Sequence, residues 1–207
     1  MINRVELKKK AKEFAFSHKM DIWRPMLVIF CINFVISFIV SASGIKTENI
    51  LYSMITSLTT LLLIPLQIGS ISYIMGIIDG KNVDLKECML SKFNDGSWWK
   101  ILIVSFCFGF IVGFGMMLFI VPGIYFALKY SMVQMILADE KFGNKDILYA
   151  LGKSSKMMEG HKWEYFVFIL SFFGWFILCP FTLGILYIWV YPYFVVANYY
   201  YFKELKK

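Results

Sequence analysis

The chain has 207 residues, of which 59% are hydrophobic and 17% charged; soluble domains run nearer 45–50% apolar and about 25% charged, so an ordinary soluble fold is excluded. The formal net charge is +7, but no basic stripe is interleaved with stacking aromatics, and a nucleic-acid groove is excluded as well. An aromatic content of 19% suits the belts at a membrane–water interface.

A run of about 20 apolar residues matches the ~30 Å hydrocarbon core of a bilayer at 1.5 Å rise per residue. In chain order, six such spans are predicted: Pro25–Ala42, Ile50–Ile78 with Pro65 inside it, Ile101–Val121, Pro122–Ala138 after a V-P-G turn, Trp163–Cys179, and Gly184–Phe202 with Pro192 inside it. The basic start and V-S-A-S-G at Val40–Gly44 have the outline of a signal peptide. The apolar run between them exceeds the usual 7–15 residues, so a retained first span is expected.

Lysine and arginine placement orients these spans. Seven precede the first span, four lie between the second and third, five between the fourth and fifth, and three follow the sixth, together nineteen of 21. Only Lys46 and Lys129 fall elsewhere. By the positive-inside rule both termini are cytoplasmic. The expected fold is all-α: one integral membrane domain over residues 1–207, with short outer loops.

The cytoplasmic segments carry their own pattern. Leu7, Ala11 and Phe14 share one helical face; so do Leu85, Cys88, Met89 and Phe93, and again Ile147, Ala150, Leu151 and Met158. Each reads as a short basic amphipathic helix lying in the inner interface near anionic lipid. Each leads to tryptophan at a span entrance: Trp23, Trp98 with Trp99, and Trp163. S-K-F-N-D-G-S-W-W at 91–99 aligns without gaps on S-K-M-M-E-G-H-K-W at 155–163. The expected plan is three units of interfacial helix plus hairpin, 1–78, 79–138 and 139–207.

The second half carries, in order, P-G-I at 122–124, Y-S-M at 130–132, I-L-A-D at 136–139, M-M-E-G-H-K at 157–162, L-S-F-F-G-W at 170–175, T-L-G-I at 182–185 and Y-P-Y at 191–193. With the N-terminal A-K-E-F and Trp23, this set resembles the bacterial membrane family called domain of unknown function 975. The resemblance implies a multi-pass bacterial membrane protein and brings no activity with it.

All fourteen acidic residues fall in loops or at span ends, which counts against proton-coupled carriers and intramembrane aspartyl proteases. No H-E-x-x-H, G-x-S-x-G, P-loop or dinucleotide fingerprint occurs. His18 and His161 are the only histidines, and both fall in interfacial segments. Cys31, Cys88, Cys107 and Cys179 form no C-x-x-C pair and read as apolar filler. No metal or cofactor is expected.

Lys129 lies inside the fourth span. A charge at mid-bilayer costs about 2.5–3.5 kcal/mol on insertion scales. Counted from Pro122 it falls about 10 Å down the helix, in the outer half. It either snorkels to the outer headgroups or faces the bundle beside Gln67 and Asn198, offering a cation to a lipid phosphate or peptide carboxylate. Gln134 points to another face. Ser105, Gly109 and Gly113 recur every four residues and read as a seam for close helix approach. Pro65 and Pro192 read as kinks, with a binding site possible at the first.

Three functions are weighed. The first is a non-enzymatic membrane protein acting through lipid or protein contacts, as a transport-system partner or in self-protection against a membrane-active peptide. The second is a transporter or channel for a small solute, lipid or peptide. The third is a membrane enzyme at the cytoplasmic face using His161 with Glu159 or Asp139.

Overall fold

In hydrocarbon a backbone N–H or C=O has no water to bond, and the helix satisfies both within one segment. The computed structural model describes residues 4–43, 50–139, 146–182 and 185–206, and among them there are helices and turns and no strand. The helices are α1 (Arg4–Ser17), α2 (Lys19–Ala42), α3 (Ile50–Ile78), α4 (Leu85–Asn94), α5 (Trp98–Leu118), α6 (Ile120–Lys129), α7 (Val133–Ala138), α8 (Ile147–Met157), α9 (Lys162–Phe181) and α10 (Ile185–Leu205).

Among the described residues five stretches are long and apolar enough to cross a membrane: α2, α3, α5, the pair α6–α7 and α9. The sixth expected span is α10. It has 21 residues, but six tyrosines and Asn198 make it more polar than the others. Pro65 and Pro192 lie inside helices that continue past them.

Two expectations about the third and fourth spans need correction. The chain reverses at the extended residue Phe119, φ −156° and ψ 145°, two residues before the expected V-P-G turn. Pro122 instead sits in the first turn of α6, where a missing N–H costs no intrahelical bond. The fourth span is also interrupted, at Tyr130–Met132. The break is capped from another helix: the Ser154 hydroxyl donates to the Lys129 carbonyl at 3.1 Å and accepts from the Met132 N–H at 3.2 Å.

The core gathers at one end of the long helices. It contains Ile68, Ile71 and Ile74 near the C-terminal end of α3, Ile101 and Val104 at the start of α5, Tyr165, Phe168 and Phe172 in the first half of α9, and Val195–Ala197 in the second half of α10. The opposite halves leave large apolar groups uncovered, among them Phe34 and Phe38 of α2, Met54 and Leu58 of α3, Phe110 and Phe114 of α5, and Phe181 of α9. That is the pattern of helices whose outer parts face lipid.

The amphipathic helices pack into this core instead of lying on lipid with their apolar faces. Leu7 and Ala11 of α1, Met89 of α4, and Ala150 and Leu151 of α8 are buried by protein. Helix length gives the reason. The 29 residues of α3 extend about 44 Å, well beyond a ~30 Å core, so its last turns need a protein cover. α4 supplies part of it, so close that a Cβ on Gly69 would stand 2.7 Å from the Met89 Cα and the carbonyl oxygens of Cys88 and Met89.

Each aligned segment preceding a span ends its helix on a left-handed glycine, Gly96 at φ 65° and Gly160 at φ 78°. Such residues turn the chain from an amphipathic helix into a long one at no steric cost. The first segment makes its turn at His18, without a glycine.

Charged groups close the packed end. Tyr199 donates to one oxygen of Asp79 at 2.7 Å and Lys203 to the other at 2.8 Å. Lys206 pairs with the Asp139 carboxylate at 2.8 Å, and Lys92, only 3% exposed, donates to the Asp139 carbonyl at 3.4 Å. Ser72 donates to the Ala138 carbonyl. These contacts hold the ends of α3, α7 and α10 together.

α1 crosses the middle of the α9–α10 hairpin. Lys8 reaches the Ser171 carbonyl at 3.5 Å, its ammonium stands 4.4 Å from the centre of the Phe172 ring, and Tyr193 donates to the Lys8 carbonyl at 3.3 Å. Burial pushes the Lys8 ammonium below the usual lysine range.

Candidate functional site

The residues singled out in the sequence do not share one site. Gln67 and Pro192 share one: both line a cavity of about 300 Å³ between α2, α3 and α10, with Trp23, Met26, Phe30 and Tyr191. Cavities that take small ligands run from about 300 to 1,000 Å³, so this one is at the small end. Its polar groups are few. Asn33 donates to the Ile29 carbonyl at 3.0 Å and Ser70 to the Leu66 carbonyl at 2.9 Å, so both bond to their own helices. Gln67 is exposed on the cavity wall.

Asn198 is elsewhere, 7% exposed and accepting from the Tyr165 hydroxyl at 3.0 Å. Lys129 lines neither this cavity nor the one described below. It ends α6, with its ammonium 5.4 Å from the centre of the Tyr130 ring. Its carbonyl is held by Ser154 of α8, so Lys129 lies with the amphipathic layer. α6 is unbroken from Ile120 to Lys129, so the count from Pro122 runs along a continuous helix, and the interruption follows Lys129.

Among the described residues the small-residue seam has no helix packed on its glycines. A Cβ on Gly109 or Gly113 would meet nothing within 4 Å. Both face outward beside Phe106, Phe110 and Phe114, with Ser105 half-buried. Close approach within α5–α6 occurs instead at Gly115, where a Cβ would stand 3.1 Å from the Gly123 Cα.

His161 precedes α9 and its Nδ1 lies 3.2 Å from a Glu164 oxygen. His18 contacts the Ser17 hydroxyl at 2.9 Å and stacks on Phe14 at 4.3 Å. Both sit at helix junctions. Cys179 contacts the Trp175 carbonyl of its own helix, and Gln134 is exposed. Among the described residues no three His, Cys, Asp or Glu side chains are grouped to hold a metal ion.

Sequence reasoning missed the contacts of Asp79, Asp139 and Lys92. A signal existed for the first two: each follows an apolar run directly, and the tail Y-Y-Y-F-K-E-L-K-K supplies lysines that must lie at the same level. It also missed Tyr201, whose hydroxyl is buried without a hydrogen-bond partner among the described residues and whose ring packs on Tyr165 and Phe168. A buried unpaired hydroxyl costs about 1–3 kcal/mol. Tyr201→Phe should therefore leave the apparent unfolding temperature in detergent unchanged or raised, whereas Tyr165→Phe, which strips Asn198 of its donor, should lower it. A fall with Tyr201→Phe comparable to that with Tyr165→Phe would show a partner for the Tyr201 hydroxyl.

A family model described as Protein of unknown function (DUF975) matches residues 1–124 and 116–207. No curated protein and no solved structure matches. The two matched segments overlap and together run the length of the chain, which carries apolar helices long enough to cross a membrane; the chain belongs to the DUF975 family of proteins of unknown function.

Proposed function

We propose that this is a six-span protein of the bacterial cell membrane, both termini cytoplasmic, that acts without catalysis through contacts with lipid or another protein. Its role would be that of a transport-system partner, or of self-protection against a membrane-active peptide. The observation that carries the reading is how polar groups are used. Asn198 is closed by Tyr165, the interrupted backbone at 130–132 is closed by Ser154, and the cavity beside Gln67 is walled mostly by apolar side chains. Such a cavity suits an acyl chain or an apolar helix better than a hydrated solute. The left-handed glycines at aligned positions 96 and 160 support the likeness of the second and third units.

The purified protein in liposomes should move ions, amino acids and short peptides no faster than protein-free liposomes do. Selective flux of any of these overturns the reading. A second reading, a transporter, draws on the interrupted fourth span, since broken helices build substrate sites in transporters. Flux abolished by Lys129→Met would establish it in place of the first.

A further inference from the structure

A second cavity of about 300 Å³ lies between α1, α2, α9 and α10. Trp23, Trp175, Trp189 and Leu186 line it together with Lys12 and Lys19. The Lys19 ammonium stands 4.0 Å from the centre of the Trp189 ring and 5.2 Å from that of Trp23. Among the described residues neither Lys12 nor Lys19 is paired with a carboxylate.

We infer that this groove binds an anionic phospholipid, its phosphate at Lys12 and Lys19 and an acyl chain on the tryptophan-lined wall. The inference rests on the lipid-contact reading above and gives it a headgroup charge and a place. Three features select this occupant. Two cations without acidic partners beside an apolar groove complement a molecule anionic at one end and apolar at the other. Trp23, at the entrance of the first span and beside Lys19, has the headgroup-level position that tryptophan favours, where juxtamembrane lysines attract anionic lipid. The groove also has an apolar neighbour: Trp23 and Pro192 line both this cavity and the one beside Gln67, so further apolar surface adjoins it. Aromatic walls alone would also suit a quaternary ammonium, but the two lysines repel it, so a choline headgroup is disfavoured.

The test is native mass spectrometry after incubation with equal amounts of phosphatidylglycerol and phosphatidylcholine. Four proteins are compared: wild type, K12Q/K19Q, the charge-matched control K9Q/K86Q, and Ala15→Phe, which fills the groove and keeps both lysines. All four are first required to elute as the same monodisperse species.

Wild type and K9Q/K86Q should retain phosphatidylglycerol in preference to phosphatidylcholine. K12Q/K19Q should lose about 25-fold in that retention, about fivefold per lysine, and Ala15→Phe should lose it as well. Equal losses in the two double variants would reduce the effect to net charge and overturn the site. So would full retention in K12Q/K19Q or in Ala15→Phe. Displacement of the lipid by millimolar soluble glycerol phosphate would mean a phosphate site indifferent to acyl chains and would also overturn it, as would displacement by an apolar peptide at equal concentration. Failure here leaves the non-transporting reading intact, because liposome flux decides that separately.

Discussion

Asp79→Asn should lower the stability of the folded protein by about 1.5–3 kcal/mol, the range for hydrogen bonds to charged groups. The carboxylate accepts from Tyr199 and Lys203 at once, and an amide can replace one acceptor but not two. Most of the loss belongs to the Tyr199 bond. The Lys203 side chain is 43% exposed, and exposed ion pairs contribute about 0–1 kcal/mol, so Lys203→Met should cost the lesser part. Burial pushes the Asp79 carboxyl up, but the bonds from Lys203 and Tyr199 outweigh it and hold the group below its usual value. A carboxyl depressed in the folded state contributes stability that is fully present above its unfolded pKa of about 3.9 and is lost as pH falls through the folded pKa. The difference between wild type and Asp79→Asn should therefore be constant from neutral pH to about pH 5 and shrink below pH 4. Thermal unfolding in mild detergent across that range checks both the size and the sign. A difference that grows on acidification would rule the latch out.

Gly69→Leu should be the most damaging single substitution in α3. Even one carbon at this position would stand 2.7 Å from backbone atoms of α4, and backbone cannot move aside as a flexible side chain can. Overpacking a core costs about 1–3 kcal/mol and more where nothing yields. Gly69→Ala separates the terms: it gains up to about 1 kcal/mol of helix propensity and still meets the Met89 backbone. The expected net is destabilisation and displacement of α4. Cys88, half-buried between the two helices, should then react faster with a maleimide. Gly109→Ala is the matched comparison. Nothing lies within 4 Å of its new carbon, so it should be neutral or slightly stabilising. If Gly69→Ala and Gly109→Ala behave alike, the close contact between α3 and α4 is not a feature of the folded protein.

The contrast between Gly69 and Gly109 also shows which parts of the structure could be read from the sequence. Spacing puts Ser105, Gly109 and Gly113 on one face, but it does not say what that face meets. The helices and their lengths were legible because an apolar run with no other way to satisfy its backbone has to coil. The amphipathic faces were legible for the same reason, down to Leu7, Ala11, Met89, Ala150 and Leu151. What covers those faces was not, because it depends on how far α3 and α10 project past their apolar limits. The interruption at Tyr130–Met132 was hidden too. Tyr-Ser-Met carries no helix breaker, and the hydroxyl that stabilises the break comes from Ser154, more than twenty residues on. Gln67 and Pro192 line one cavity, whereas Lys129 and Asn198 belong to other surroundings. Lys12 and Lys19 were counted as orienting charges, and a count has no way to register the tryptophans beside them.

The crossing of α1 over the α9–α10 hairpin has a consequence for the surrounding lipid. Under the six-span reading proposed above, a helix bearing Arg4, Lys8, Lys9, Lys10 and Lys12 stays at headgroup level, and it is fastened to α9 at Ser171. From Ser171 to the end of α9 at Phe181 is about 15 Å, half of a ~30 Å hydrocarbon core. The hairpin therefore reaches the far headgroups only where the bilayer is deformed toward it. Hydrophobic mismatch of this kind costs fractions of a kcal/mol per ångström, summed over the whole deficit. That cost couples the hold of α1 on the hairpin to membrane thickness: short-chain lipids favour it, and long-chain or rigid ones work against it.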